Sequence, residues 1–430
     1  MTTTDYGTIS PDGRVRADDG LAYAYLPAPT VQSHAANLAL LPDGRLGCVW
    51  FGGTQEGVPD ISVWFSALSR DPDTGEWGQE WSEPAKLSDD PTRSEQNPIL
   101  YVHDAAGARE LWLLYTAQHA GNQDTSEVRR RVSRDGGATW GDVETLFPAT
   151  ETGGVFVRQP PIVATSTDGA PRLLVPIFRC ITVPGEKWNG DADDSGLMVS
   201  DDGGATWREQ LVPDSVGAVH MNVHPLADGT LLALYRSRWA DWVYESRSAD
   251  GGDTWSAPAP TELPNNNSSI QFTPLADGRL ALIYNHSQAD ATTERRASLY
   301  DEIDDDGLAE TQERFEAAPA AEAGASGGDD GRRKAFWGTP RAPLTLALSD
   351  DGGRSWGTRR NLEVGDGYCL SNNSRDGLNR EFSYPSILQT PDGALHVAYT
   401  YFRQAIKYVR TDPEWIAAGG DAAGAGGGAA

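Results

Sequence analysis

"SRDGGATW" (133–140), "SDDGGATW" (200–207), "SADGGDTW" (248–255) and "SDDGGRSW" (349–356) are four writings of one octapeptide in a single chain. Its parts have a local physical meaning. The Asp side chain can accept hydrogen bonds from backbone N–H groups of its own turn. The Gly pair allows positive φ. The closing Trp supplies a large surface for packing between sheets. The octapeptide therefore reads as a turn lock rather than an active site, and its recurrence implies a recurring structural unit.

Working outward, an apolar run, a turn and a second apolar run accompany the octapeptides. The six stretches are "NLALLPDGRLGCVWF" (37–51), "NPILYVHDAAGARELWLLYT" (97–116), "PPIVATSTDGAPRLLVPIF" (160–178), "NVHPLADGTLLALYRS" (222–237), "FTPLADGRLALIYNH" (272–286) and "SYPSILQTPDGALHVAYTYF" (383–402). Each predicts a β-hairpin. A third strand follows, as in "GLMVS" (196–200) or "VYESRS" (243–248), and the octapeptide turns the chain into a short fourth. The first copy is degenerate, "SRDPDTGEWGQEW" (69–81), and the last unit lacks a fourth strand, which "LAYAYLPAP" (21–29) could supply to close a ring. Radial repetition of four-stranded antiparallel sheets makes an all-β fold, a β-propeller. The count gives six blades; seven stays open if residues 1–28 and the long insertion hide another hairpin. One propeller domain is expected over residues 1–415. A low-complexity loop interrupts it at 287–335, and a disordered Gly/Ala-rich tail follows at 416–430.

Bulk properties narrow the partners. The formal net charge is -27 over 430 residues. Such a surface repels nucleic-acid phosphates and anionic membranes, so neither is expected as a partner. Acids are spread along the chain, which favours a halophilic protein. Cys48, Cys180 and Cys369 are far apart and form no CxxC pair, so no disulfide framework or zinc site is indicated. No cofactor is expected. "NGDADDSG" (189–196) is the nearest thing to a calcium loop and does not commit to one. With no signal-peptide pattern at the N-terminus, a cytoplasmic location is expected. The oligomeric state is not readable.

If the octapeptides lock one face, the chemistry belongs to the other loop sets, which join strand two to three and strand four to the next blade. Polar residues there are the candidates. They are His34 in "SHAAN", Glu56 and Asp60 in "FGGTQEGVPD", Asn97 in "SEQNP", His119 in "YTAQHAGNQD", Arg158 in "FVRQPP" and Arg179 in "IFRC". His220 in "AVHMNVH", Arg236 and Arg238 in "YRSRW", Asn267 in "NNNSS", and Asn285 with His286 in "YNHS" continue the series. Arg341 in "GTPRAP", Glu381 and Tyr384 in "REFSYPS" and Arg403 in "TYFRQ" complete it. Several Arg at equivalent strand ends of an acidic protein imply an anionic ligand, since a guanidinium clamps a carboxylate at two points. The alternative for each Arg is pairing with a neighbouring Asp or Glu.

The octapeptide is similar to the Asp-box of BNR-repeat proteins, and residues 30–410 resemble the sialidase superfamily of propellers. That resemblance implies an enzyme acting on an acidic carbohydrate, with Tyr384 matching the nucleophile and Asp60 the acid–base group. His34 stands where such enzymes usually carry the Arg of an Arg-Ile-Pro motif. "HAANLALLPDGRLGCVWFGGTQEG", "NNNSS…YNHS" and "FSYPSILQTPDG" resemble the branch containing rhamnose–glucuronate lyases. This second resemblance implies β-elimination at a uronate, with His34 or His119 as base, Tyr384 as acid and Arg158 or Arg179 on the carboxylate. Three functions follow: a uronate lyase first, a sialidase-type hydrolase second, a non-catalytic glycan-binding propeller third. Arg179, Arg236, Arg238, Asn97, Asn267, Asn285, His286, Arg341, Arg403 and Glu56 are the expected substrate contacts.

The charge has a measurable consequence. Self-repulsion at -27 weakens the fold when salt is withdrawn. The melting temperature should rise from low to molar salt; a flat profile removes the halophile reading.

Overall fold

In the computed structural model, which describes residues 9–105, 108–296, 299–300, 332–370 and 377–419, the hairpins expected from sequence form six antiparallel sheets. Two strands, β1 (Arg16–Asp18) and β2 (Leu21–Tyr25), precede the first blade. Blade one runs β3 (Gln32–Leu40), β4 (Leu46–Gly53), β5 (Ser62–Arg70) and β6 (Trp77–Trp81), with β7 (Ala85–Lys86) added on β5. Blade two is β8 (Ser94–Ala105), β9 (Ala108–His119), β10 (Asn122–Ser133) and β11 (Glu144–Phe147). In blade three the innermost strand is split into β12 (Gly153–Val157) and β13 (Ile162–Thr165), both on β14 (Pro171–Ile181), followed by β15 (Asp194–Ser200) and β16 (Arg208–Leu211). Blade four is β17 (Ala218–Pro225), β18 (Leu231–Ser237), β19 (Trp242–Ser248) and β20 (Ala259–Pro264). Blade five is β21 (Gln271–Pro274), β22 (Leu280–Asn285), β23 (Leu344–Ser349) and β24 (Thr358–Glu363).

Blade six joins the two ends of the chain. β25 (Phe382–Gln389), β26 (Leu395–Tyr401) and β27 (Ala405–Thr411) take β2 as the fourth strand, in the register Ala22↔Arg410 to Tyr25↔Lys407. The stretch 21–29 thus closes the ring. Side chains of the innermost strands stitch neighbouring blades: Asn37 Oδ1 accepts from Leu100 N at 3.1 Å, Asn222 Oδ1 from Phe272 N at 2.7 Å and Ser386 Oγ from Leu38 N at 3.0 Å. Apolar clusters fill the spaces between blades, one of them around Trp255, Leu174, Val223 and Tyr235.

The chain leaves the ring through α1 (Pro413–Ala418), capped by Asp412, whose side chain accepts from Trp415 N. The boundary expected at 416 is corrected here: Ile416 is fully buried against blades five and six, because a one-turn helix seats it there. The rest of the expected tail, 420–430, lies outside the described residues, as do 301–331 of the insertion.

The octapeptides behave as turn locks between strands three and four. In the second, Asp202 Oδ1 accepts from Thr206 N at 2.8 Å and Ala205 N at 3.1 Å, while Ser200 Oγ accepts from Gly204 N at 2.7 Å. Gly203 and Gly204 take φ of 71° and 91°. Neighbouring blades meet there too: Arg45, at the hairpin turn of blade one, donates to the carbonyl of Gly136 in the first octapeptide at 2.9 Å. The octapeptides therefore share a face with the hairpin turns, leaving the opposite face for the remaining loops.

Hydrogen bonds from Thr139, Thr206 and Ser355 hold Asp135, Asp202 and Asp351 at a pKa of about 2. Folded values below the unfolded one give stability that is present above pH about 4 and lost as pH falls toward about 2. Acid titration of the melting temperature should show that loss, reduced in Asp202→Asn. Asp202→Ala should lower the melting temperature by a few degrees yet leave turnover per folded molecule intact; a folded but inactive variant makes the octapeptide part of the site.

Candidate functional site

An ordinary innermost strand would alternate its side chains between the two blade faces. Here the strands break register near their first residues. In blade one, Ala35 and Ala36 together oppose Trp50; in blade two, Asn97 and Pro98 oppose Tyr115. In blade four, His220 and Met221 oppose Tyr235; in blade six, Tyr384 and Pro385 oppose Tyr399. Two residues against one is a β-bulge, which re-aims a side chain. Its first residue is left-handed each time: φ is 60° at Ala35, 49° at Asn97, 58° at His220 and 49° at Tyr384. Asn267, before β21, has φ 58°, and blade three breaks between β12 and β13 at residues 158–161. Left-handed non-Gly residues are costly and cluster at functional sites.

Tyr384 is the hub. Its ring centroid is 4.3 Å from that of His34 and 5.7 Å from that of His220. The guanidiniums of Arg158, Arg236 and Arg341 lie 5.4, 5.5 and 5.5 Å from its ring. Its hydroxyl accepts from Arg236. Arg236 Nε also donates to Asn267 Oδ1 at 2.7 Å, and its Nη1 lies 3.4 Å from His220 Nε2.

Five arginines divide into two groups. Arg403 pairs with Glu56 at 2.7 Å and with Glu381; Arg341 pairs with the second oxygen of Glu381 at 2.8 Å. Burial would raise the Glu381 carboxyl, but Arg403 and Arg341 bring it below its ordinary value. Arg238 holds Asp193 at 2.6 Å. Arg158 and Arg236 have no carboxylate partner among the described residues, so five cations against three anions leave two charges uncompensated. Arg158 Nη1 and Arg236 Nη2 are buried with no hydrogen-bond partner among the described residues. Burial pulls Arg158 down to about 10 and Arg236 to about 9. His34 and His220 are held well below their ordinary value, first by burial and then by the surrounding arginines, so both are neutral near pH 7. His34 Nδ1 meets Thr400 Oγ1 at 2.8 Å; His34 Nε2 and His220 Nδ1 have no partner among the described residues.

Arg158 has a second task. From blade three its Nη2 reaches the carbonyls of Tyr384 at 3.0 Å and of Pro385 and Ala36 at 3.2 Å, and its Nε donates to Ser269 at 3.2 Å. It pins the bulges of blades six and one across the channel.

Of the residues expected from sequence, His34, Tyr384, Arg158, Arg236, Arg341 and Asn267 converge. Arg238, Arg403 and Glu56 are spent on ion pairs around them. Asn97 is buried with its Oδ1 unpartnered among the described residues. Four other expected residues lie outside this central group. His119 ends β9 exposed, its N–H on Thr125, and is no counterpart of His34. Arg179 sits at the end of β14, half-buried, paired with Asp194. Asn285 donates to the carbonyl of Phe382 at 2.8 Å, joining blades five and six. His286 bonds the Tyr284 hydroxyl and touches none of the central group. Asp60, on the β4–β5 loop, is exposed and accepts from Thr54 N at 3.1 Å. In "NGDADDSG", Asp191 accepts from Ala335 N and Asp193 serves Arg238. His220 was a candidate without a role; its bulge gives it one. Tyr300, from the insertion, and Trp337, just after it, carried no signal, yet both pack in one apolar cluster with Tyr384.

Comparison with known proteins agrees with this architecture. The model of the BNR repeat-like domain matches residues 44–397. The chain belongs to this family. An anhydrosialidase from the leech Macrobdella decora is 26% identical over 183 residues, which is 40% of this chain and 22% of the leech protein. The BNR-repeat chain thus spans about a fifth of that relative's length. Among solved structures, a Hadza microbial sialidase superposes with TM-score 0.58 at 14% identity, over 89% of this chain and 66% of the other. An intramolecular trans-sialidase from Ruminococcus gnavus, in complex with oseltamivir carboxylate, gives 0.58 at 13%, over 91% and 97%. These likenesses show the sialidase-like propeller fold.

An uncompensated buried cation costs stability, and function is the usual reason to keep one. Arg236→Met should raise the melting temperature of this BNR-repeat propeller while removing response to carboxylate ligands. A fall of several degrees would mean that Arg236 holds the bulges together.

Proposed function

We propose that this propeller cleaves a glycosidic bond at a carboxylate-bearing sugar, with Tyr384 as the reacting group. One observation carries the reading: Arg158 and Arg236 bring two buried guanidiniums, each with an unpartnered Nη, to the Tyr384 ring. A sugar carboxylate supplies the missing anion by charge-assisted hydrogen bonds. Arg236 donates a hydrogen bond to the Tyr384 hydroxyl and so orients it.

The hydrolytic form is favoured by the sialidase-like relatives. Tyr384 Oη bonds to the anomeric carbon as the bond to the leaving oxygen breaks. Asp60 protonates that oxygen from a loop whose Val58 and Ile61 pack in the Tyr384 cluster. Water then releases the sugar. The phenol's proton passes to a neutral imidazole beside it. A second reading, β-elimination at a uronate, is favoured by His34 and His220. Each offers a neutral imidazole with a free nitrogen, and His34 replaces the arginine expected of a sialidase. There the base takes the proton beside the carboxylate, the bond to the neighbouring glycosidic oxygen breaks, a carbon–carbon double bond forms, and Tyr384 protonates the leaving oxygen.

Aryl sialosides, aryl glucuronides and uronate-containing oligosaccharides separate the two. Hydrolysis releases a saturated acid sugar; elimination releases an ultraviolet-absorbing unsaturated uronate. Tyr384→Phe should lower kcat by about a thousandfold in either case. Full activity in Tyr384→Phe overturns the assignment, and carboxylate-dependent binding without turnover makes the propeller a lectin.

A further inference from the structure

Every group of the Tyr384 site is closed off from solvent: Tyr384 is 6% exposed, His220 3% and Arg236 1%. Bulky glycans cannot reach Arg236 Nη2 in this state. Part of the cover comes from outside the blades, from residues 334–337 on the connection between β22 and β23. Trp337 is 2% exposed, and its indole lies 5.6 Å from the Arg236 guanidinium and 4.9 Å from that of Arg238. The carbonyl of Phe336 takes the Asn267 amide at 2.9 Å, while the Asn267 oxygen holds Arg236. The segment thus occupies both the face of Arg236 and the free hand of its orienting Asn.

We propose that residues 334–337 form a self-occluding strap that competes with the acidic sugar for the Arg236–Asn267 corner and is held shut by Asp191. The strap is fastened by separate hydrogen bonds to several loops, among them Arg295 Nε to the Ala335 carbonyl at 3.0 Å, rather than by a strand ladder. Phe336 N donates to the carbonyl of Arg238 at 2.7 Å, and Trp337 meets Arg296 in an isolated bridge rather than a ladder. The latch is on the β14–β15 loop. Asp191 Oδ1 accepts from Ala335 N at 2.7 Å and Asp191 Oδ2 pairs with Lys334 at 3.2 Å, while the Asn189 carbonyl accepts from Trp337 Nε1 at 3.0 Å. Releasing the strap bares Arg236, Arg238 and the Asn267 amide together. An anion that binds them selects the open state, because it has no place in the closed one.

The structural part is tested on the full chain without ligand; the competition with substrate rests on the proposed function. Hydrogen exchange of the peptide 332–338 should be at least about tenfold faster than that of β18, through local opening. Asp191→Ala should speed 332–338 further, with β18 and the melting temperature nearly unchanged. Trp337→Leu should do the same by a route that leaves Asp191 intact. Exchange of 332–338 as slow as β18 in all three proteins overturns the strap. In turnover of an aryl sialoside or aryl glucuronide, Asp191→Ala should raise kcat/KM several-fold; an unchanged value, with the exchange accelerated, overturns the competition. Absence of turnover in every protein sinks the proposed function instead and leaves the exchange result to decide the strap.

Discussion

A left-handed bulge at the head of the innermost strand, repeated around the ring, is the constraint on which the centre of the molecule depends. Two residues oppose one, and the one is a fully buried aromatic: Trp50, Tyr115, Tyr235 or Tyr399. Without the extra residue, strand alternation would send Asn97, His220 and Tyr384 between blades. With it they turn inward together. Each left-handed residue costs about 1–3 kcal/mol, so surrounding structure must over-determine it. Arg158 does this for two bulges at once, and the stitching from Asn37, Asn222 and Ser386 fixes the strands just beyond them.

This arrangement explains what sequence could disclose. The blades were legible because their signals are local: an Asp-Gly turn between apolar runs, then an octapeptide that satisfies its own N–H groups. The ring closure by 21–29 was legible because a blade short of one strand needs a donor. The site was legible only as a set of loops. Which Arg keeps a carboxylate partner is a three-dimensional fact: Arg179 and Arg236 look alike on paper, yet one ends beside Asp194 and the other beside Tyr384. His119 resembled a pocket histidine by loop position alone, and β9 carries it past the rim. A signal for the bulges was present but faint, in the prolines that follow Asn97, Gln159 and Tyr384.

Charge arithmetic links the bulges to chemistry. Glu381 is shared by Arg341 and Arg403, Glu56 completes that chain, and Asp193 neutralises Arg238. These pairs make a nearly neutral frame in which two further cations stand without partners. Burial depresses both arginines, and burial first, then the surrounding arginines, depress the flanking histidines. Burial, helped by the same field that would bind a carboxylate, keeps His34 and His220 neutral.

The closed state follows from the same arithmetic. Two bare cations beneath open water would be hydrated, and their attraction for one more anion would be weak. Under Trp337 Arg236 is dry, and an indole face is among the few neutral surfaces that a guanidinium tolerates. The aromatic cover lowers the cost of holding Arg236 and Arg238 unhydrated while the site waits. It also sets a threshold: only a ligand whose anion gains more from Arg236 and Arg158 than the indole and the Asn267–Phe336 bond give up can replace the strap. Selectivity for acidic sugars over neutral ones would then arise at opening, before any bond is broken.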